Sequence, residues 1–207
     1  MLARYYDVHP KNPQPRSIAQ VATVLQDGGL VVYPTDSGFA LGTILGNADG
    51  IERIKAIRHL DDKHNFTLVV DEFAKLGHYV EMDNWVFRAI KAATPGPYTF
   101  ILKATREVPR MMQHPKKRTV GVRIPAHVTS LALLEALGAP LVSSTLLLPD
   151  LEQPPTEGWE VKELLEHQVD VVLDSGDVGI EPTTVVDMTG SEPEVLRRGA
   201  GDTSWFE

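Results

Sequence analysis

The stretch Leu30-Val31-Val32-Tyr33-Pro34-Thr35-Asp36-Ser37-Gly38-Phe39-Ala40-Leu41-Gly42 decides how the chain is read. Its first four residues favour β structure, because branched and aromatic side chains fit a pleated surface. Proline then interrupts the run, and Thr35 to Gly38 supply turn chemistry before the chain turns apolar again. The expectation is a strand that ends in a polar turn. In an α/β protein the segment just past the carboxyl end of a strand is where ligands are held, since the sheet fixes that loop over a crevice. The alternative is a turn that uses Pro, Asp and Gly for backbone reasons alone.

Working outward, Ser17-Ile18-Ala19-Gln20 reads as a capping box that opens a helix carrying Ile18, Val21, Ala22 and Leu25, closed by Gly28-Gly29. The residues before Ser17, rich in Pro and Asn, read as an extended arm. After a short strand through Ile44-Leu45, Asn47 caps a helix with Ile51, Ile54, Ile57 and Leu60 on its buried stripe. Lys55 and Arg58 lie three apart on that helix and are expected to share a face. Asp71 and Asp83 are read as caps, and the helix holding Trp85, Val86, Ala89 and Ile90 stops at Thr94-Pro95-Gly96-Pro97. Thr129 caps a further helix that Gly138 ends, and Val161, Leu164, Leu165 and Val169 suggest another. Strands are expected over 66–70, 98–103, 120–124, 140–143, 171–173, 183–186 and 195–197. The alternation implies a single-domain α/β fold, a twisted mixed β-sheet with helices on both faces.

The composition narrows the function classes. With 28 acidic and 20 basic residues the formal charge is −8, which argues mildly against a purely electrostatic nucleic-acid binder. No cysteine is present, so disulfides, thiolate metal sites and cysteine nucleophiles are excluded; a cytoplasmic protein is expected. No apolar run approaches the ~20 residues of a membrane span. Neither a Gly-x-Gly-x-x-Gly unit between strand and helix nor a Gly-x-x-x-x-Gly-Lys-Ser/Thr loop occurs. The histidines show no metal spacing, and the turn Asp174-Ser175-Gly176-Asp177-Val178-Gly179 lacks the later glutamate of a calcium loop. Between Lys103 and Arg123 bases outnumber the single acid Glu107; Lys116, Lys117 and Arg118 at its heart are a solvated loop or a phosphate or RNA contact. On the strand Val120-Gly121-Val122-Arg123-Ile124, alternation puts Arg123 opposite the apolar face, where it reaches water or holds an anion.

Several landmarks then fit one pattern. Val32-Tyr33-Pro34-Thr35-Asp36-Ser37 resembles the opening strand and turn of the YrdC-like family. Pro95-Gly96-Pro97-x-Thr99, Val120-Gly121-Val122-Arg123-Ile124-Pro125-x-His127, Thr183-Thr184-Val185-Val186-Asp187 and Leu196-Arg197-Arg198-Gly199-Ala200 resemble its later signatures, in the same order. The resemblance implies a YrdC-like domain over 17–200, between an arm at 1–16 and a tail at 201–207, with a deep, positively lined cavity. It implies that ATP, as a substrate with Mg²⁺, is joined to bicarbonate and L-threonine to give threonylcarbamoyladenylate, which feeds threonylcarbamoyl modification of tRNA adenosine. By position, Thr35, Arg123 and Thr183 are implied to bind the amino acid, and Lys55, Arg58, Ser143, Thr145 and Arg197 the nucleotide phosphates, with Lys55 and Arg58 as the catalytic pair. A double-stranded RNA or tRNA contact is also implied for relatives.

The departures from the pattern are specific. The family's Lys-x-Arg-Pro becomes Lys55, two intervening residues, Arg58 and His59, so that Lys63 is a candidate to replace one of the pair. The family's Ser-x-Asn aligns with Thr145-Leu146-Leu147, which removes an amide whose hydrogen bond to a charged group is worth roughly 1.5–3 kcal/mol. These departures resemble the YciO-type branch of the family. They leave open a slower enzyme, a synthase for a different amine, or a non-catalytic RNA-binding paralogue.

Overall fold

A computed structural model gives the positions of residues 2–176 and 178–206; Met1, Asp177 and Glu207, from the expected arm, turn and tail, lie outside the described residues. Ten strands form one mixed sheet in the order β1-β8-β2-β3-β7-β4-β6-β5-β9-β10. In chain order the strands are β1 (Arg4–Asp7), β2 (Val31–Thr35), β3 (Gly38–Ile44), β4 (Thr67–Val69), β5 (Tyr98–Lys103), β6 (Thr119–Arg123), β7 (Leu141–Thr145), β8 (Val171–Asp174), β9 (Thr184–Asp187) and β10 (Glu194–Arg197). The helices are α1 (Pro15–Gln26), α2 (Ala48–Arg58), α3 (Leu76–Tyr79), α4 (Asn84–Ala93), α5 (Val128–Leu137) and α6 (Gly158–Leu165).

The opening stretch is a hairpin. β2 runs through Pro34 to Thr35 and pairs antiparallel with β3, with Thr35 opposite Gly38 and Asp36-Ser37 at the turn. Proline does not end the strand as expected, because β2 pairs with β8 only at Val31 and Val32, so its missing N–H interrupts no ladder on that side. Gly38 sits at φ 108°, a conformation that a side chain would strain. The expected arm supplies the edge strand β1, parallel to β8, and α1 begins at Pro15 rather than at Ser17. Proline at the first helical position needs no partner for its nitrogen, so the capping box is not used. Likewise His127, not Thr129, caps α5 by accepting from Ser130 N, and neither Asp71 nor Asp83 makes a capping bond. Asn47 does cap α2, accepting from Gly50 N.

Alternation along the strands sorts two apolar layers. Val32, Leu41, Leu68, Phe100, Val122 and Val142 pack with α2, α3, α4 and α6 on one face. Val31, Tyr33, Ala40, Val69 and Leu141 pack under α1 and α5 on the other. Each fully buried aliphatic side chain stabilises by about 1.5–3 kcal/mol before chain entropy is counted. The second face is only partly roofed: further along it Thr67 of β4 lies opposite Gly121 of β6, Gly121 opposite Ile101 of β5, and Thr99 of β5 opposite Val185 of β9, and these residues floor a cavity instead. At the C-terminal end, Phe206 tucks against Tyr98 and Phe100.

Candidate functional site

The cavity has two adjoining chambers that share Thr67, Thr99, Ser144 and Thr145. The outer one, about 320 Å³, is at the lower end of ligand-pocket sizes (~300–1,000 Å³). Its walls carry Arg58, Lys63, His64 and Arg197, and none of its lining residues is acidic. The inner one, about 20 Å³, reaches Arg123, Ser143, Ala40 and Val69.

Each cation is placed by a different element. Arg58 is the last residue of α2, and His59 follows in the left-handed region at φ 51°, turning the chain into the loop that carries Lys63 and His64. Arg58 donates from Nη1 to Ser144 Oγ and from Nε to the Leu147 carbonyl at 3.3 Å. Ser144 Oγ is 3.2 Å from His64 Nε2. Burial, helped by the charge of Arg197, lowers the Arg58 guanidinium to about 10; burial, then Arg58, lowers His64 to about 4. Arg197, from β10, donates to the Thr183 carbonyl at 2.9 and 3.0 Å and to Thr183 Oγ1 at 3.0 Å. Thr183 Oγ1 in turn lies 2.9 Å from Thr99 Oγ1.

At the inner end, Arg123 is buried, with 7% of its side chain exposed, and forms an ion pair with Asp36 of the β2–β3 turn. Asp36 also accepts from Ala126 N at 3.1 Å. Among the described residues, Arg123 Nε is buried and has no hydrogen-bond partner. The charge of Arg123 is thus paired with Asp36 inside the protein, while its buried Nε–H has no partner among the described residues. Tyr33, fully buried, has its hydroxyl 2.7 Å from Ser143 Oγ, and burial pushes its ionisation up to about 12.

The expected site residues divide by position. Arg58, Thr145, Thr183 and Arg197 line the outer chamber, while Arg123 and Ser143 line the inner. Lys55 does not line the cavity: its ammonium is held by Glu52 Oε1 at 2.9 Å and Asp62 Oδ1 at 3.1 Å, which raises its pKa, and Lys63 lines the wall instead. Thr35 lines neither chamber; its hydroxyl donates to the Gly38 carbonyl at 2.6 Å and accepts from Ser37 N at 3.1 Å, so it braces the turn that presents Asp36. Lys116, Lys117 and Arg118 are exposed in the segment just before β6, whose span from Thr119 to Arg123, ~13 Å, separates them from the inner chamber. His64 is the residue that sequence reading missed. Nothing in a loop's spacing marks it, and the sole hint is the altered segment after Arg58.

Among the described residues, no helix is long and apolar enough to cross a membrane, and no group of three His, Cys, Asp or Glu residues could hold a metal ion. The Sua5/YciO/YrdC family model, described as telomere recombination, matches residues 23–199. The crystal structure of Escherichia coli YciO superimposes with a TM-score of 0.96 at 45% identity and covers 100% of both chains. A threonylcarbamoyl-AMP synthase of Halorhodospira halophila is 31% identical over 192 residues, 91% of this chain and 98% of that protein. P. abyssi Sua5, solved as a complex with L-threonine, gives a TM-score of 0.86 at 25% identity, covering 94% of this chain and 57% of that one. The chain belongs to the Sua5/YciO/YrdC family.

Proposed function

We propose that the chain joins L-threonine, bicarbonate and ATP to give threonylcarbamoyladenylate and pyrophosphate, for threonylcarbamoyl modification of tRNA. The observation that carries this reading is the division of the cavity. Arg58, Lys63 and Arg197 surround the outer chamber with no acid among its lining residues, which suits a polyphosphate. The inner chamber offers one buried N–H of an arginine already neutralised by Asp36, which suits the carboxylate of a zwitterion better than a second polyanion. At about 20 Å³ it admits a group of about the size of a water, in this reading one carboxylate oxygen, and the rest of the amino acid lies among the shared Thr and Ser hydroxyls.

In this reading the threonine nitrogen bonds to the bicarbonate carbon, a C–O(H) bond of bicarbonate breaks, and that oxygen leaves as water with the proton lost from nitrogen, giving a carbamate. A carbamate oxygen then attacks the α-phosphorus, and the bond from that phosphorus to the bridging oxygen of pyrophosphate breaks. Arg58 and Arg197 contribute by holding fixed positive charge where the departing pyrophosphate gains negative charge. Mg²⁺ would enter with ATP as part of the substrate and offset the charge of the polyphosphate. The test is pyrophosphate release from ATP, Mg²⁺, bicarbonate and a panel of amino acids. Release that requires threonine and is lost in Arg123→Ala is the expected result; ATP turnover indifferent to any amino acid would refute it.

The exposed Lys116, Lys117 and Arg118 turn supports a second, compatible role in holding RNA phosphates. Changing all three to alanine is expected to flatten the salt dependence of tRNA or duplex RNA binding and leave pyrophosphate release unchanged.

A further inference from the structure

His64 lines the outer chamber yet has no task in the reaction above. Its hydrogen bonding is constrained by its neighbours. Arg58 can only donate, so Ser144 Oγ accepts from it, and with the neutral ring in its Nδ1–H tautomer the serine proton points at His64 Nε2, 3.2 Å away. The charged groups around the ring are Arg58 at the end of α2, Asp61 and Lys63 on its own loop, and Arg197 across the cavity beside Arg58. Phe66 meets the ring edge-on at 5.4 Å between centroids. Burial and the Arg58 charge keep the imidazole neutral, and Asp61 opposes them. An anion on Arg58 cancels that field and adds its own attraction for a proton.

We propose that His64 takes up a proton when a polyphosphate settles against Arg58, and that this turns the Ser144 hydroxyl proton from the imidazole to the ligand. The proton comes from solvent, and no covalent bond forms or breaks. Once protonated, Nε2 donates to Ser144 Oγ. Both serine lone pairs are then taken, by Arg58 and by His64, so its own O–H is released into the cavity. The site gains a donor only when the anion is present. The inference rests on the polyphosphate reading of the outer chamber.

The test uses the full chain with inorganic pyrophosphate as the probe. Imidazole C–H resonances of the seven histidines, assigned through bonds, are titrated with and without it. The His64 midpoint is expected to rise by about one to three units on saturation. Calorimetry at pH 6 in two buffers of different ionisation enthalpy should show more proton uptake per pyrophosphate bound than in His64→Gln. Pyrophosphate that binds without moving the His64 midpoint overturns the proposal and leaves the polyphosphate site standing. Absence of pyrophosphate binding at millimolar concentration overturns both.

Discussion

Arg123 and Asp36 are a buried pair contributed by residues 87 positions apart. Taking Asp36 to Asn strands a guanidinium away from water, at a cost of about 3–5 kcal/mol. The urea midpoint of Asp36→Asn should fall accordingly with the slope unchanged; an unmoved midpoint would show that the pair is not buried as described. The two lysines near α2 separate cleanly. Lys63→Ala should weaken ATP use by roughly tenfold through loss of a charged contact worth ~1.5 kcal/mol, whereas Lys55→Ala, outside the cavity, should change it by less than about twofold. A Lys55 variant with the larger defect would restore the assignment that sequence position implies. Leu147 lines the outer chamber and is 38% exposed, so its exchange costs little packing. Leu147→Asn supplies the amide that the aligned motif lacks, and kcat/KM for ATP should rise by about tenfold, the equivalent of ~1.4 kcal/mol. No rise would mean that the amide has nothing to reach from this position.

At the scale of elements, the cavity floor is made by what β6 omits. A Cβ on Gly121 would lie 2.9 Å from Thr67 Oγ1 and 3.1 Å from Thr99 Cγ2, so β4, β5 and β6 meet there with almost no spare space. Gly121→Val forces those side chains aside at about 1–3 kcal/mol and pushes methyl groups into the floor. Both the thermal midpoint and nucleotide affinity should drop; a variant that binds normally would place the ligand away from the floor. The elements also show where local signals were legible. Strands were, because β-branched runs such as Val31-Val32 and Val171-Val172 have few alternatives. Helix starts were legible only in part, because several nearby residues can open a helix: Asn47 capped α2 as read, but Pro15 opened α1 ahead of Ser17, and His127 capped α5 in place of Thr129.

For the molecule as a whole, acidity is the informative variable. His64 and His127 are both shifted toward the neutral form by burial; at His64 the Arg58 charge adds to it and Asp61 opposes, and at His127 Asp36 opposes more than Arg123 adds. Their folded midpoints lie below the unfolded value of 6.5, so on acidification the unfolded chain binds protons first. Stability should therefore be full above about pH 6.5 and fall as the pH drops toward 4, and His64→Gln should flatten the thermal-midpoint profile in that window. An identical profile in wild type and variant would show that the ring is solvated. By itself the sequence determined the mixed α/β class, the polar turn after Tyr33, the isolation of Arg123 among apolar neighbours and the family signatures, since each is written in local composition and alternation. Tertiary structure alone decided which charges meet. Asp36 met Arg123 across the sheet, and a loop histidine came to rest beside Ser144 and Arg58. The reason is that side-chain pairing depends on distances across the sheet, set by strand order and register, and no spacing along one chain encodes a contact between residues 80 or more positions apart.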